Sequence, residues 1–347
     1  MTYENYLPLV EVTRGTIVES IHWGAVAVVD ASGRLVASYG DVYSLSYLRS
    51  TAKPFQALPF VEMGGVEKFG LTDRELAVMC ASHSGTDEHV KVLKGIHAKV
   101  GISEENLLCG MHPSFHEPTA KAMQLRGEAV SPFRHNCSGK HTGMLAHARL
   151  KGYPIEDYIN PSHPVQKNIF RTFAEMTDYP QEKFGMGIDG CSAPVFAVPL
   201  YNAALAFARL CDPTGLAAER AAACRKITRA MSTNPDMVAG PERFDTLLME
   251  VAKGRLVAKG GAEAYQGIGV LPGAMGPGSP ALGITIKIAD GDHGGRAIST
   301  VAMEVMRQLG VLSADELTEL KQFDRRPIYN WRHFEVGEIR TCFSLNR

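Results

Sequence analysis

The chain has 347 residues, enough for one large domain or two joined ones, with Lys plus Arg at 36, Asp plus Glu at 37 and a net charge of -1. No basic excess or basic run marks a binder of nucleic acid or anionic membrane, and no apolar stretch reaches the roughly 18–20 residues of a membrane span. The polar start Met1-Thr-Tyr-Glu-Asn-Tyr6 does not read as a signal peptide, and seven cysteines, an odd number, read as reduced thiols, so a cytoplasmic location is expected.

The first forty residues read as strands. Residues 17–30 are rich in Val, Ile and Ala, Gly33 offers a turn, and residues 35–39 return, which predicts an antiparallel hairpin. Helical patterns fill the middle, at 73–80 after a Thr-Asp cap signal, 87–100, 138–150, 164–176, 198–210 and the Ala- and Arg-rich 216–231. After Gly254 the pattern turns extended. Residues 255–259 are β-prone, 283–289 alternate as a central strand should, and 294–309 form a helix to pack on it. The Gly- and Pro-rich segment 267–280 is expected to be loop, and 328–342 to add one or two closing strands. Strands at both ends with helices between predict an α+β fold. One antiparallel sheet is built from about 8–40 and 255–342 around a helical insert at about 50–250, in a single domain 1–347.

Several stretches concentrate chemistry. In Ser50-Thr-Ala-Lys53 a hydroxyl needs a base to become a nucleophile, and a lysine three positions on lies on the same helical face. Burial or neighbouring cations would have to keep that lysine neutral. S-x-x-K alone is a weak motif, and the competing reading is a capping serine with a solvated lysine. Pro54 disfavours the α conformation at Lys53, so a helix starts near Lys53-Pro54 with Ser50 just outside it.

Residues 80–89 are dense in hydroxyls and imidazoles, and either place Ser82 in a cleft or form a capped polar loop. Residues 135–141 and 187–194 each set a cysteine beside glycine. Cys137 and Cys191, with His141 or Asp189 nearby, are candidates for zinc, although the spacing is not that of a zinc finger and two buried thiols are the competing reading. Lys259 either reaches a cleft as a second base or ends a surface strand, and Asp290 and Asp292 sit in a turn from which they can orient basic groups.

Taken in order, Val12-Thr-Arg-Gly15, Val18-Glu-Ser-Ile-His22, Arg49-Ser-Thr-Ala-Lys-Pro54, Ala81-Ser-His-Ser-Gly85, Asn136-Cys-Ser-Gly-Lys-His141, Gly187-Ile-Asp-Gly-Cys-Ser192, Arg243-Phe-Asp-Thr246, Lys259-Gly-Gly-Ala-Glu263 and Lys287-Ile-Ala-Asp-Gly291 resemble the L-asparaginase II family. The resemblance runs nearly the whole chain. It implies a fold similar to serine β-lactamases and glutaminases, and hydrolysis of the side-chain amide of L-asparagine to L-aspartate and ammonia.

It also implies two serine–lysine pairs, Ser50 with Lys53 and Ser82 with Lys259. A zinc ion would be held through Cys137, Lys140 and Cys191, with His141 and Asp189 beside it. Arg49, His83, His141, Asp189 and Arg243 are the side chains expected to meet substrate, and a homodimer is expected. Departures are His135, where many relatives carry Asn, Ala264, where Gly is usual, and the lack of a further cysteine near Met249. The alternatives are another serine amidase on the same scaffold, such as a glutaminase, β-lactamase or peptidase, or a sensor that binds an amino acid or metal without turnover.

Overall fold

The computed structural model describes residues 6–347; residues 1–5, on which the reading of the polar start rests, lie outside the described residues. The strands in chain order are β1 (Leu7–Arg14), β2 (Ile17–Asp30), β3 (Leu35–Tyr39), β4 (Leu45–Tyr47), β5 (Gly185–Ile188), β6 (Pro194–Pro199), β7 (Leu256–Gly261), β8 (Tyr265–Val270), β9 (Leu282–Ile288), β10 (Arg326–Tyr329) and β11 (Glu335–Thr341).

Among the described residues, eight strands form one sheet in the order β10-β11-β1-β2-β9-β8-β7, with β3 also paired to β2. Every pairing in it is antiparallel. The expected α+β plan is therefore the observed one: strands from both chain ends interleave, and β2 from the start pairs directly with β9 from the end, Gly24 opposite Ile288.

Helices cover the sheet. The helix Leu200–Cys211 packs on β2, β8 and β9, and Ile298–Leu309 packs on β1, β8, β9 and β11. The contact with Leu200–Cys211 explains a segment whose expected conformation is wrong. Residues 267–270, read as loop for their glycines, belong to β8. A Cβ on Gly267 would lie 2.3 Å from the Phe207 ring, and one on Gly283 of β9 would lie 1.7 Å from the Ala204 carbonyl oxygen. These glycines serve close approach of a helix to a strand face, not turn formation. Ile284, Ile286 and Ile288 alternate with Gly283 and Thr285 along β9 and bury themselves on the other face.

The helix Lys53–Glu62 carries apolar side chains all round, and nine of its ten residues are buried, the signature of a helix inside a core rather than on a surface. It packs against Ser138–Lys151, Pro164–Thr177 and Ala218–Thr233. Pro54 stands in its first turn, where a missing N–H costs little, and Ser50 lies in a 3-10 turn, Arg49–Ala52, immediately before it. A smaller sheet, β4-β6-β5, was not foreseen, because its strands are short and two of them, β5 and β6, lie within the stretch read as helical. No helix among the described residues is long and apolar enough to cross a membrane.

Candidate active site

The first residue of a buried helix has no choice but to sit in the interior. Lys53 is 1 % exposed and Ser50, one turn earlier, 8 %. Ser50 opens into a cavity of about 380 Å³, within the usual range for small-molecule sites, whose wall also includes Ser82, Asn136, Arg243, Asp245, Gly261 and Gln266. The Ser50 and Ser82 hydroxyls are 3.2 Å apart, and Asn136 Nδ2 donates to Ser82 Oγ over 3.1 Å. Lys53 Nζ donates to the Asn136 carbonyl at 3.3 Å. The side chain three positions after Ser50 thus reaches the same loop that holds Ser82.

Lys259, on β7, is as buried as Lys53 and donates to the Gly260 carbonyl at 2.6 Å. Burial first of all drives its ammonium group down to about 7; Asp245 opposes that shift, while Lys53 and Arg243 add to it. Burial likewise lowers Lys53, partly offset by the Cys137 sulfur. Asp245 is itself buried and accepts from the Gly260 N–H at 2.6 Å and from Gln266 Nε2 at 2.9 Å. Gly261 is the point where β7 meets the turn that carries Ser50: a Cβ there would stand 2.7 Å from the Leu48 carbonyl oxygen and 3.4 Å from Ser50 N.

Behind Lys53 lies a second cluster. Lys140 Nζ donates to Cys191 Sγ at 2.8 Å, and the Cys137 sulfur lies by both Cys191 and Lys53. The hydrogen bond from Cys191 and the charges of Lys53 and Lys140 hold Cys137 well below the usual thiol range despite burial. Burial would depress Lys140, but the Cys191 and Cys137 sulfurs raise it above the ordinary lysine value. His141 bonds Tyr158 through Nδ1 at 2.7 Å, while its buried Nε2 lies by Cys191 without a hydrogen bond of ordinary geometry. Among the described residues, no three His, Cys, Asp or Glu side chains converge as a metal cage built from those residues alone would require.

The other singled-out residues divide. Arg49, held at φ 51, places Nε and Nη2 at 2.9 and 2.8 Å from Asp189 Oδ1, tying the turn of Ser50 to the loop of Cys191. A non-glycine residue in that region is a form of strain found at functional sites. Arg243 lines the cavity. His83 does not: it is fully buried, its Nδ1 accepts from the Gly85 N–H, and its Nε2–H therefore donates to Ser138 Oγ at 2.9 Å. Asp290 bonds His22 at 2.7 Å, and Asp292 accepts from three N–H groups at the start of Ile298–Leu309.

Asn136, Asp245 and Gln266 had no assigned part, nor had His112, whose Nε2 accepts the Asn136 N–H at 3.0 Å. Asn136 and Asp245 stood inside quoted motifs. Only their placement against the serines and Gly260 gives them a part.

Paired hydroxyls and buried amines over a small cavity are the equipment of an amidohydrolase, and the sequence comparison agrees. The model of the family described as L-asparaginase II matches residues 10–341, and the chain belongs to that family. No curated protein matches the chain. Among solved structures it is similar to a probable glutaminase of Bacillus subtilis, at 12% identity and a TM-score of 0.40, covering 83% of this chain and 88% of that one. A covalent complex of a Bacillus subtilis glutaminase with 5-oxo-L-norleucine matches at 12% identity and a TM-score of 0.38, covering 84% and 89%. Both likenesses are too distant to bear on substrate.

Proposed function

We propose that the protein hydrolyses the side-chain amide of L-asparagine to L-aspartate and ammonia, with Ser50 as nucleophile. The observation that carries this reading is the 3.2 Å pair of hydroxyls, Ser50 and Ser82, in a cavity flanked by two buried lysines of lowered proton affinity.

Ser50 Oγ attacks the amide carbon as its proton passes to Ser82 and on to a neutral lysine, Lys53 or Lys259. The negative oxygen that forms is met by the Ser50 backbone N–H beside Gly261. The C–N bond breaks, the nitrogen takes the stored proton, and ammonia leaves a β-aspartyl ester on Ser50. Water then attacks the ester, gives its proton back through the same hydroxyl and amine, and aspartate departs.

A zinc ion held by Cys137, Cys191 and Lys140 belongs to the same proposal. Two thiols, one with a strongly depressed proton affinity, beside an amine and an imidazole nitrogen without an ordinary partner, fit the sulfur and nitrogen chemistry that zinc prefers. Bound there, zinc would supply a Lewis acid next to the cavity, and Lys140 would have to give up its proton. Elemental analysis should find the metal in the wild type and lose it in Cys137→Ala; equal zinc in both removes this part. Cytoplasmic residence and assembly as a homodimer complete the proposal, the second to be checked by light scattering.

Ammonia release measured with asparagine and glutamine tests the substrate. Turnover of asparagine is expected, and absence of it, or a preference for glutamine, overturns the assignment.

A further inference from the structure

Among the described residues that line the cavity beside Ser50 and Ser82, the only charged ones are Arg243 and Asp245. They have opposite signs and come from one place. Arg243 caps the helix Phe244–Ala252 and Asp245 is its second residue. Their environments differ in a way that suits two different tasks. Arg243 is exposed, and no ion pair occupies it among the described residues, so its guanidinium is open to an incoming anion. Glu242, just before it, is held in the left-handed region at φ 61, so the backbone is bent where that side chain is presented.

Asp245 is 6 % exposed, and each carboxylate oxygen accepts one hydrogen bond, Oδ2 from Gly260 N–H and Oδ1 from Gln266 Nε2. A carboxylate has about four lone-pair sites, so two remain for a donor that enters the cavity. The carboxylate touches Gly260, and Ser50 abuts Gly261, the next residue on β7. Consecutive Cα atoms lie about 3.8 Å apart, which puts the buried anion within a few bonds' length of the nucleophile.

We infer that Asp245 and Arg243 together select a zwitterion, Asp245 receiving the α-ammonium group of the substrate and Arg243 its α-carboxylate. The inference rests on the asparagine reading above and assigns the two charged ends of that substrate to two side chains. A buried carboxylate also has a bland use: it fixes Gly260 and stands near Lys259, whose ammonium form it favours. The two roles separate by substrate, not by total activity.

The test uses three amides that share the reacting group: L-asparagine, succinamate, which lacks the ammonium, and 3-aminopropanamide, which lacks the carboxylate. In the wild type, kcat/KM should favour asparagine over each truncated amide on the order of 10- to 100-fold, the usual weight of a hydrogen bond to a charged group. Asp245→Asn should lower kcat/KM for asparagine by a similar factor and leave succinamate within about threefold; Arg243→Gln should penalise asparagine and spare 3-aminopropanamide. Equal losses on all three amides, or no discrimination by the wild type, overturn the inference, and the wild-type comparison decides alone if Asp245→Asn does not fold. Calorimetric titration of Ser50→Ala with asparagine and succinamate reads the same preference without turnover. If the wild type releases no ammonia yet Ser50→Ala still prefers asparagine, the hydrolase reading fails and zwitterion selection stands; equal binding of the two sinks the selection whatever the activity.

Discussion

Lys140 and Lys259 are buried to nearly the same depth, 3 % and 1 % exposed, yet their ammonium groups are driven in opposite directions. On the cavity side, Lys259 bonds the Gly260 carbonyl with the Asp245 carboxylate nearby, and burial wins, bringing it to about 7. On the thiol side, Lys140 bonds Cys191 and lies near Cys137, and the sulfurs win. Depth alone does not make a lysine a base; the partner decides. Lys53 stands between the two regions, its amine against both the Asn136 carbonyl and the Cys137 sulfur. One region can then move protons near neutrality while the other stores a fixed pair of charges.

The comparison can be broken at its strongest point first. Ser50→Ala should cut steady-state ammonia release at least about 1,000-fold while leaving thermal stability and metal content as in the wild type. A residual rate above a tenth of normal would move the nucleophile elsewhere. Next, Lys259→Met should cost roughly 100- to 10,000-fold in kcat if the neutral amine serves as base. The sign of the accompanying pH effect follows from the lowered value. Protonation below about 7 removes the base, so kcat/KM of the wild type should fall with acid through a limb centred near 7 and level off above it. A flat profile between pH 5 and 9 would assign the base to another group.

On the other side, Lys140→Met strips the cation that stands beside the buried Cys137 sulfur. It should lower stability by about 3–5 kcal/mol in urea unfolding of the metal-free protein. A change below about 1 kcal/mol would mean that Cys137 carries no charge there, and the contrast between the two lysines would collapse. The smallest effect is expected at His112, which positions Asn136 from outside the cavity. His112→Ala should reduce kcat on the order of tenfold, and His112→Gln, which keeps an acceptor, should recover part of it. An unchanged kcat in the alanine variant would free Asn136 from that support.

Much of this plan is written locally in the chain. The alternation of 283–289 and the Thr-Asp cap before Asp73–Met79 are properties of neighbouring residues, and they lead to the right elements. Gly267 and Gly269 mislead because a glycine in a turn and a glycine under a helix are identical in sequence; only Phe207 and Cys211, far along the chain, tell them apart. The site follows the same rule. Ser50 and Lys53 are visible as a spaced pair, but Ser82, Asn136 and Lys259 become their neighbours only through the sheet and the helix Lys53–Glu62. His83 shows the opposite failure: an imidazole beside Ser82 in sequence turns its ring into the core and bonds Ser138. Asp245 carries no signal of its own beyond a place in a short motif, since its partners Gly260 and Gln266 lie on other elements.

Gly261 closes against the Leu48 carbonyl and the Ser50 amide, and β7, which carries it, is joined to the rest of the sheet only through β8 and β9. During synthesis the ribosome therefore delivers Ser50, Lys53, Ser82 and the thiol cluster long before the strands that complete the wall around them. A growing chain carries Ser50 without Lys259 and without a finished cavity until β7 and its partner strands have emerged, so the wall closes in one late step rather than being built up along the way.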